Sequence, residues 1–529
     1  MMQLARSPLF EPVLWQGSSF KILNETLLPG KVEYLAVDQV SQALDAVKKM
    51  KTRAFGQVLT FLYSGALVAR QYRANDPEPM RARLVEMTQR FCDARPTFDF
   101  RGLGDCFVRW ICELPQDQTP GPWIETQARD RAAQLVEARL ARAKRAAEIL
   151  PDPCRLLTHC NISGELVAVA DYCKQMGKDI SVVATETRPY LQGSRLTAWE
   201  LSQVGVPVSL IPDCAVAQIM AKREINSVLV GTDRSAQNGD IINKVGTYPL
   251  ALMAKEYGVP FIALVQDPGS LARGEDIRIE ERPAAELLTF QGRPLIPEGG
   301  DRLSGRYPAF DITPGALISS LVGFGDLFTP ESFRQRFQRD LVAPDSKTES
   351  AQYVIVYGTP KQENYAYLAQ ALKAEQGQSI LVPEMRPQLW GAHCVAPELL
   401  RRNLPTTLIS DNMMGTFFAR GQIKRLYLFY TGLTGQGPRA ICGSLLASRL
   451  AAAHHVPVEL LEAEQPESSP PDRDVATFLG QRVSPRGVRI HPLDEEVIAW
   501  ALLKEKQEMD SAEKLTSPFD KAQDERKLH

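Results

Sequence analysis

Two short segments of the sequence combine residue types that can transfer protons and bind phosphate. Residues 158–161 (Thr-His-Cys-Asn) follow a predicted strand and are expected to open a helix. A cysteine there, Cys160, would lie near unpaired amides and the positive end of the helix dipole, which favour the thiolate. Residues 231–244 include Asp233 and Lys244, a carboxylate for proton transfer and a cation for phosphate. The two segments together predict acid–base chemistry on a phosphorylated substrate.

Each of these residues also has a purely structural interpretation. A single cysteine at a strand end is more often a small buried residue than a nucleophile. Asp233 and Asp240 could simply cap helices or turns. His159 is interpreted as a packing residue. The functional hypothesis rests on the two segments occurring together at neighbouring strand ends.

Short β-branched runs alternate with amphipathic stretches in the middle of the chain. The predicted strands are 155–158, 180–184, 208–211, 228–230 and 261–265. Gly177, Gly205 and Gly258 each precede a strand, as helix C-caps commonly do. This alternation predicts an α/β fold with a doubly wound, Rossmann-like parallel sheet, in which ligands bind at the carboxyl ends of the strands.

The first part of the chain predicts a smaller α+β domain. Strands are expected at 20–28 and 32–37, with helices at 41–49, 57–70 and 78–94 and a charged helix at 124–150. The uncharged segment 54–69 is 16 residues long, short of the roughly 20 that a bilayer requires. The linker 343–350, the loop 464–474 and the tail from about 504 are predicted to be poorly ordered.

An internal repeat indicates a second copy of the sheet domain. Residues 186–213 recur at 384–411, an offset of 198, with 12 identities over 28 ungapped positions. Chance similarity between two βαβ segments would not keep one offset through loops as well as strands. We therefore expect an N-terminal α+β domain (1–128), a Rossmann-like catalytic domain (129–340), a degenerate Rossmann-like repeat (351–503) and a disordered tail (504–529).

A series of motifs over about the first 340 residues resembles the methylthioribose-1-phosphate isomerase family, which is related to ribose-1,5-bisphosphate isomerase and to the regulatory subunits of the eukaryotic initiation-factor exchange complex. The matching text is Leu23-Asn-Glu-Thr-Leu-Leu-Pro29, Arg95-Pro-Thr97, Thr158-His-Cys-Asn161, Glu186-Thr-Arg-Pro-Tyr-Leu-Gln-Gly-Ser-Arg-Leu-Thr-Ala198, Val230-Gly-Thr-Asp-Arg234, Asn238-Gly-Asp240, Asn243-Lys-Val-Gly-Thr247 and Tyr307-Pro-Ala-Phe-Asp-Ile-Thr-Pro314.

The resemblance implies a role for each matching position. Cys160 is implied to be catalytic and Asp233 to be the proton donor, with Asp240 as a supporting neighbour. The implied substrate-binding residues are Arg53, Arg95, Gln192, Asn243 and Lys244. In a ribose 1-phosphate the anomeric oxygen carries the phosphate, so an acid must protonate the ring oxygen, which suits Asp233 if burial raises its pKa. A base must then move the C2 proton to C1, which suits a Cys160 thiolate.

The chain departs from the family pattern beside the substrate and throughout the second copy. Phe55 stands in the family's Arg-Gly-Ala-Pro loop, where it could narrow the phosphate site, and the helix after Asn161 is shorter than in the family. In the second copy, the positions of Cys160, Gln192, Asp233, Asn243 and Lys244 are occupied by Gly358, Trp390, Thr431, Ala440 and Ile441. The second copy is therefore expected to be non-catalytic. Because the family pairs through its larger sheet domain, we expect residues 129–340 and 351–503 to form an internal pseudo-dimer.

Composition limits the remaining classes of function. A net charge of −2 gives no reason to expect nucleic acid or an anionic membrane as a partner. Nine scattered cysteines without a C-x-x-C spacing argue against disulfides and structural zinc and favour the cytoplasm. No metal or other cofactor is expected.

The leading interpretation is an aldose–ketose isomerase that converts 5-methylthioribose 1-phosphate to 5-methylthioribulose 1-phosphate in methionine salvage. Two alternatives stay open. One is an isomerase of another pentose phosphate, such as ribose 1,5-bisphosphate. The other is a non-catalytic sensing scaffold like the exchange-factor subunits, against which the joint retention of Cys160, Asp233, Asn243 and Lys244 argues.

Overall fold

The computed structural model describes residues 6–96, 98–296, 303–338, 352–374, 379–464 and 472–504. The predicted linker 343–350 lies outside these ranges, as do residues 465–471 of the predicted loop and 505–529 of the predicted tail.

The N-terminal part packs helices beside a small antiparallel sheet. Its elements are β1 (Val13–Trp15), β2 (Phe20–Leu23), β3 (Tyr34–Val37), α1 (Val40–Lys48), α2 (Phe55–Arg70), α3 (Pro77–Ala94), α4 (Phe100–Cys112) and α5 (Pro120–Ile149). Phe61 of α2 lies at the centre of an aromatic core with Phe91, Phe100 and Phe107. The apolar segment 54–69 is therefore a core helix. Among the described residues, no helix is long and apolar enough to cross a membrane.

A first eight-stranded sheet follows. The elements of this part are β4 (Cys154–Thr158), α6 (Glu165–Gln175), β5 (Ile180–Thr185), α7 (Ala198–Gln203), β6 (Val208–Ile211), α8 (Val216–Ala221), β7 (Ser227–Val230), β8 (Arg234–Ser235), β9 (Ile241–Lys244), α9 (Thr247–Glu256), β10 (Phe261–Leu264), α10 (Ala285–Leu288), β11 (Thr289–Phe290), β12 (Arg293–Pro294), β13 (Ser304–Gly305), β14 (Phe310–Thr313), β15 (Ser320–Val322), β16 (Leu327–Phe328) and α11 (Pro330–Phe337). The five strands predicted for this part are confirmed to within one residue at each end. In the N-terminal part the predicted strand 20–28 ends at Leu23, and the predicted strand 32–37 begins at Tyr34.

The order of the first sheet is β16-β15-β10-β7-β4-β5-β6 with one further strand at the edge, and all neighbours except β15 and β16 are parallel. The chain proceeds from β4 through β5 to β6 on one side, then returns to place β7 on the other side of β4. The gap between β4 and β7 is therefore a topological switch point, where open α/β sheets bind ligands.

The C-terminal part forms a second eight-stranded sheet. Its elements are β17 (Tyr353–Tyr357), α12 (Gln362–Ala374), β18 (Ser379–Pro383), α13 (Ala396–Arg401), β19 (Thr406–Ile409), α14 (Met414–Ala419), β20 (Ile423–Leu433), β21 (Pro438–Ala440), α15 (Ser444–Ala453), β22 (Val458–Glu462), β23 (Thr477–Phe478), β24 (Gln481–Arg482), β25 (Arg489–Ile490), β26 (Glu496–Val497) and α16 (Trp500–Lys504). Strands β19, β18, β17, β20 and β22 are parallel neighbours in that order. A mixed α/β fold with parallel sheets is confirmed.

Residues that match in the sequence repeat have the same local geometry in the two sheets. A π-helical turn precedes α7 at Gly193–Thr197 and α13 at Gly391–Val395. A Cβ on Gly193 would lie 1.7 Å from the Thr185 carbonyl oxygen, and one on Gly391 would lie 1.8 Å from that of Pro383. Both glycines are therefore needed for the same close backbone approach.

The two sheets are joined by an apolar core and by exchanged strands. One buried cluster contains residues of both, including Val228 and Phe261 from the first and Leu426 and Phe429 from the second. Strand β13 pairs in parallel with β19 of the second sheet, while β25 pairs in parallel with β6 of the first. Each part therefore contributes a short edge strand to the other.

Candidate active site

Cys160 and Asp233 follow the two strands at the switch point of the first sheet. Cys160 lies two residues after β4, and Asp233 lies three residues after β7. Since β4 and β7 are parallel neighbours, their carboxyl ends meet at the same edge. The fold therefore brings the two sequence-predicted catalytic residues to one place.

Cys160 is held in a left-handed backbone conformation by neighbouring threonines. Its φ is 66°, its backbone N–H donates to Oγ1 of Thr187 at 2.9 Å, and its carbonyl oxygen accepts from Oγ1 of Thr197 at 2.6 Å. A non-glycine residue in this region costs conformational energy that the surrounding contacts must offset. These contacts fix the backbone conformation of Cys160 just beyond the end of β4.

Cys160 does not lie at the helix N-terminus that the sequence predicted. Helix α6 begins only at Glu165, so Cys160 lies in the loop before the helix and not at its N-terminus. Burial raises the pKa of the thiol, and the nearby charges of Arg53 and Lys244 offset this only in part. Burial therefore favours the thiol form of Cys160 over the thiolate.

The environment of Asp233 shifts the pKa of its carboxyl group in the direction that a general acid needs. Burial raises the pKa of its carboxyl group, although the positive charges of Lys244, Arg95 and Arg53 oppose that effect. The backbone around it is fixed, because its N–H donates to the Ile242 carbonyl at 2.9 Å and its own carbonyl accepts from Nε2 of Gln266 at 2.9 Å.

Lys244 is a buried cation at the end of β9. Its Nζ donates to the Tyr307 hydroxyl at 2.7 Å and lies 5.1 Å from the centre of the Tyr190 ring. Burial lowers the pKa of the Lys244 ammonium to about 8, against the opposing effects of Cys160 and Asp233. A lysine so placed can bind an anionic group in a site with little water.

Arg53 is oriented by a carboxylate on the N-terminal part. Its Nε donates to Oε2 of Glu25 at 2.9 Å, and Oε1 of Glu25 accepts from the Arg53 backbone N–H at 3.0 Å. The guanidinium also interacts electrostatically with Cys160 and Asp233. Through Arg53, the N-terminal part of the chain therefore contributes a side chain to the site.

Phe55 was expected to be able to narrow the phosphate site. Its ring lies 4.1 Å from the guanidinium carbon of the buried Arg139.

Arg95 lies beside a second carboxylate. It is 9% exposed, and its NH2 lies 3.5 Å from Oε2 of Glu280. Its Nε is buried without a hydrogen-bond acceptor among the described residues. Glu280 in turn pairs with Arg282 at 2.7 Å. A buried guanidinium N–H without a partner is suited to an incoming anion.

Two further predicted binding residues lie buried near this centre. Asn243 precedes Lys244 on β9, and its Nδ2 donates to Oγ1 of Thr247 at 3.0 Å. Gln192 is buried, and its Oε1 has no hydrogen-bond donor among the described residues. It lies two residues after Tyr190, whose ring faces the Lys244 ammonium.

Asp240 and His159 have structural contacts. The Asp240 carboxylate accepts hydrogen bonds from the backbone N–H groups of Gly274 at 3.2 Å and Gly315 at 3.0 Å. It therefore links the segment that follows Asp233 to the two segments that contain these glycines. His159 is buried between Oγ1 of Thr185 at 2.7 Å and the carbonyl of Val245 at 2.9 Å, and burial lowers its pKa to about 4. Its interpretation as a packing residue is confirmed.

The structure thus brings Arg53, Cys160, Asp233 and Lys244 within electrostatic reach of one another, and Arg95 within reach of Asp233. Sequence reasoning missed four residues that orient them: Glu25, Glu280, Arg282 and Tyr307. Glu25 and Tyr307 lie inside motifs that carried the family resemblance, so a signal existed for them. Nothing in the sequence pattern singled out Glu280 or Arg282.

Comparison with known proteins shows the family of the chain. The model of the initiation factor 2 subunit family matches residues 58–325. The chain belongs to this family. It is 35% identical over 342 residues to methylthioribose-1-phosphate isomerase of Desulforudis audaxviator, a match that covers 60% of this chain and 94% of that protein.

A second relative and a solved structure extend the comparison. The 5-deoxyribose 1-phosphate isomerase of Moorella thermoacetica is 33% identical over 334 residues, covering 59% of this chain and 92% of that protein. The crystal structure of 5-methylthioribose 1-phosphate isomerase from Pyrococcus horikoshii aligns with a TM-score of 0.54 and 29% identity, over 63% of this chain and 98% of that one. The relatives' names support an isomerase enzyme that acts on sugar phosphates.

Proposed function

We propose that this chain is an aldose–ketose isomerase of methionine salvage that converts 5-methylthioribose 1-phosphate to 5-methylthioribulose 1-phosphate. The observation that carries the proposal is the charge environment shared by Asp233, Cys160, Lys244 and Arg53 at the switch point of the first sheet. A scaffold that only senses ligands has no need of a buried acid and a buried thiol beside two cations.

The proposed reaction begins with Asp233. Its raised pKa supports a protonated carboxyl group that donates to the ring oxygen as the bond from that oxygen to C1 breaks. The C2 hydrogen then moves to C1 beside Cys160, and the 2-hydroxyl proton returns to the Asp233 carboxylate. The site thereby ends in its starting protonation state, and the product is a 1-phospho ketose. Each well-placed acid or base contributes about 10²–10⁴ in rate.

The phosphate is proposed to lie between Lys244, Arg95 and Arg53, with Gln192 and Asn243 contacting the sugar. The unpaired Nε of Arg95 and Oε1 of Gln192 support this assignment, because buried polar atoms without partners are costly unless a ligand satisfies them. Asp240 is proposed to support the Asp233 loop through its bonds to Gly274 and Gly315.

A second candidate substrate is another pentose 1-phosphate. The similarity to a 5-deoxyribose 1-phosphate isomerase favours a sugar that differs only at C5. C5 is remote from the acid–base chemistry at C1 and C2, so the same catalytic residues would serve both substrates.

We propose that residues 351–503 are a degenerate, non-catalytic copy of the catalytic domain (129–340), packed against it as an internal pseudo-dimer. The exchanged strands β13 and β25 support this. So do two reciprocal contacts: Nδ2 of Asn412 donates to the Arg188 carbonyl at 3.0 Å, while Sγ of Cys214, at the position that matches Asn412, donates to the Arg386 carbonyl at 3.4 Å. Residues 1–128 form the proposed N-terminal domain.

A panel of pentose 1-phosphates tests the proposed substrate. The full-length chain is incubated with the 5-methylthio, 5-deoxy and 5-phospho forms of ribose 1-phosphate, and ketose formation is followed. The highest kcat/KM is expected for the 5-methylthio sugar. Preference for the 5-deoxy sugar would select the second candidate, and turnover of none would overturn the proposal.

A further inference from the structure

A cavity of about 590 Å³ lies at the second sheet. It is bounded by Thr359, just after β17, and by Thr431 in β20, two parallel neighbouring strands. Since the chain runs from β17 to β18 and β19 on one side and returns with β20 on the other, this is the switch point of the second sheet. Small-molecule sites have volumes of about 300–1,000 Å³ and occur at such points.

The cavity lies at the place in the second sheet that corresponds to the candidate active site, but residues without acid–base or phosphate-binding groups stand at the matching positions. Trp390, Thr431 and Ile441, which line it, stand at the positions that match Gln192, Asp233 and Lys244 of the first sheet. A ligand here would therefore be bound without being converted by the proposed acid–base route.

The charge of the walls disfavours phosphorylated ligands. Four carboxylate residues line the cavity (Glu464, Asp474, Asp494 and Glu495), against one arginine, Arg473. Lys222 offsets Asp494, with its Nζ 2.7 Å from the carboxylate. Arg439 partly offsets Glu495, with 3.9 Å between NH1 and Oε2. Four carboxylates against these three cations leave the lining net negative by one charge, which disfavours a phosphate dianion. This contrasts with the candidate active site, where Arg53, Arg95 and Lys244 favour one.

The remaining walls offer a flat aromatic surface and two unpaired polar atoms. The Trp390 indole lines the cavity together with aliphatic side chains such as Ile441 and Leu493. Nε1 of Trp390 and Nδ1 of His491 are buried without partners among the described residues, while Nε2 of His491 contacts Glu224 at 2.8 Å. The indole N–H is a donor, and the role of Nδ1 of His491 as donor or acceptor depends on the placement of the ring protons. A planar ligand edge with an acceptor for the indole and a polar group for His491 would pair with them.

We propose that this cavity binds an uncharged nucleoside. The planar base would stack on Trp390 and pair with its N–H and with His491, and the ribose hydroxyls would donate to the wall carboxylates, as in dinucleotide sites. The site is separate from the isomerase site, and the proposal does not rest on the isomerase activity.

Calorimetric titration of the full-length chain with adenosine, AMP and ribose 5-phosphate tests the proposal. Adenosine is expected to bind with one site per chain, and AMP at least ~10-fold more weakly because of the wall carboxylates. Trp390→Ala should weaken adenosine binding ~10-fold or more, because base–aromatic stacking is lost. Trp390→Phe, which keeps a ring but lacks the N–H, should give an intermediate loss. Lys244→Ala, in the other site, should leave adenosine affinity unchanged.

Charge variants separate this cavity from the candidate active site. Neutralising the wall with Asp494→Asn and Glu495→Gln should narrow the preference for adenosine over AMP by several-fold. Thermal unfolding verifies that each variant folds. If Trp390→Ala does not fold, the adenosine affinity of Trp390→Phe is used in its place. Absence of adenosine binding, equal binding of AMP, or a loss caused by Lys244→Ala and not by either Trp390 variant would overturn the proposal.

Discussion

Arg188 and Glu384, 196 residues apart in the chain, form a fully buried ion pair with 2.7 Å between Nε and Oε1. Arg386 and Glu186 form its counterpart, with 2.9 Å between NH2 and Oε2. Because position 188 corresponds to 386 and position 186 to 384, each pair maps onto the other by exchange of the two sheets. Such reciprocity is typical of isologous interfaces, and it supports the proposed internal pseudo-dimer.

Breaking one of these buried pairs should strongly destabilise the folded chain. Arg188→Met leaves the Glu384 carboxylate buried without its partner, which typically costs ~3–5 kcal/mol, whereas the double variant Arg188→Met with Glu384→Leu should recover much of that loss. The exposed pair of Arg145 and Glu148 provides the control, since Arg145→Ala should cost less than ~1 kcal/mol. Urea unfolding measures all three variants. Equal effects of Arg188→Met and Arg145→Ala would contradict the proposed interface.

Cys160→Ser and Asp233→Asn should each lower kcat by at least ~10² without unfolding the protein. Both substitutions keep the size of the side chain. Asp233→Asn removes the proposed acid, and Cys160→Ser replaces the thiol beside which the C2 hydrogen is proposed to move. Steady-state kinetics and thermal unfolding are measured together on each variant. If activity falls only in variants whose melting transition collapses, both residues are structural.

Removing positive charge from Arg95 or Lys244 should weaken binding of a phosphorylated substrate analogue. Charge-assisted contacts are worth ~1.5–3 kcal/mol, so each alanine variant should bind roughly 10- to 150-fold more weakly. Arg293→Ala, at an exposed position on β12, is the matched control and should bind as the unaltered chain does. Unchanged affinity in Arg95→Ala and Lys244→Ala would mean that the phosphate binds elsewhere.

Phosphate binding should also depend on pH through Lys244. Burial lowers the pKa of Lys244 to about 8, so the ammonium is present below that pH and is lost as the pH rises through it. Analogue affinity measured from pH 6.5 to 9.5 should therefore fall above about pH 8. In Lys244→Arg the guanidinium stays charged, so the bend should disappear. A flat profile for the unaltered chain would exclude Lys244 as a phosphate ligand.

The sequence predicted the strands of the first sheet well and one helix poorly. Buried parallel strands such as β6 are short runs of β-branched and aliphatic residues, which have few alternative interpretations. Helix α4 was missed because it contains Gly102 and Gly104, which lower helix propensity. A Cβ on Gly104 would lie 2.5 Å from Cγ2 of Thr88, so the glycine serves the packing of α4 on α3. Such tertiary contacts cannot be read from local sequence.

The candidate site, like the fold, could be predicted only in part from the sequence. Cys160 and Asp233 could be predicted because each directly follows a strand, and the ends of neighbouring parallel strands meet. The pKa shift of Cys160 could not be predicted, because it depends on burial and on helix α6 beginning only at Glu165, five residues beyond the cysteine. Glu280 contacts Arg95 across 185 positions of sequence and carries no local pattern.

Direct observation of the carbon skeleton tests the central claim most closely. The full-length chain is mixed with 5-methylthioribose 1-phosphate labelled with ¹³C at C2, and the label is followed by NMR at neutral pH. We expect the C2 signal to move from the range of a secondary alcohol to that of a ketone, with phosphate retained on C1, and Asp233→Asn to abolish the change. A C2 signal that stays unchanged with the folded, unaltered chain would contradict the claim.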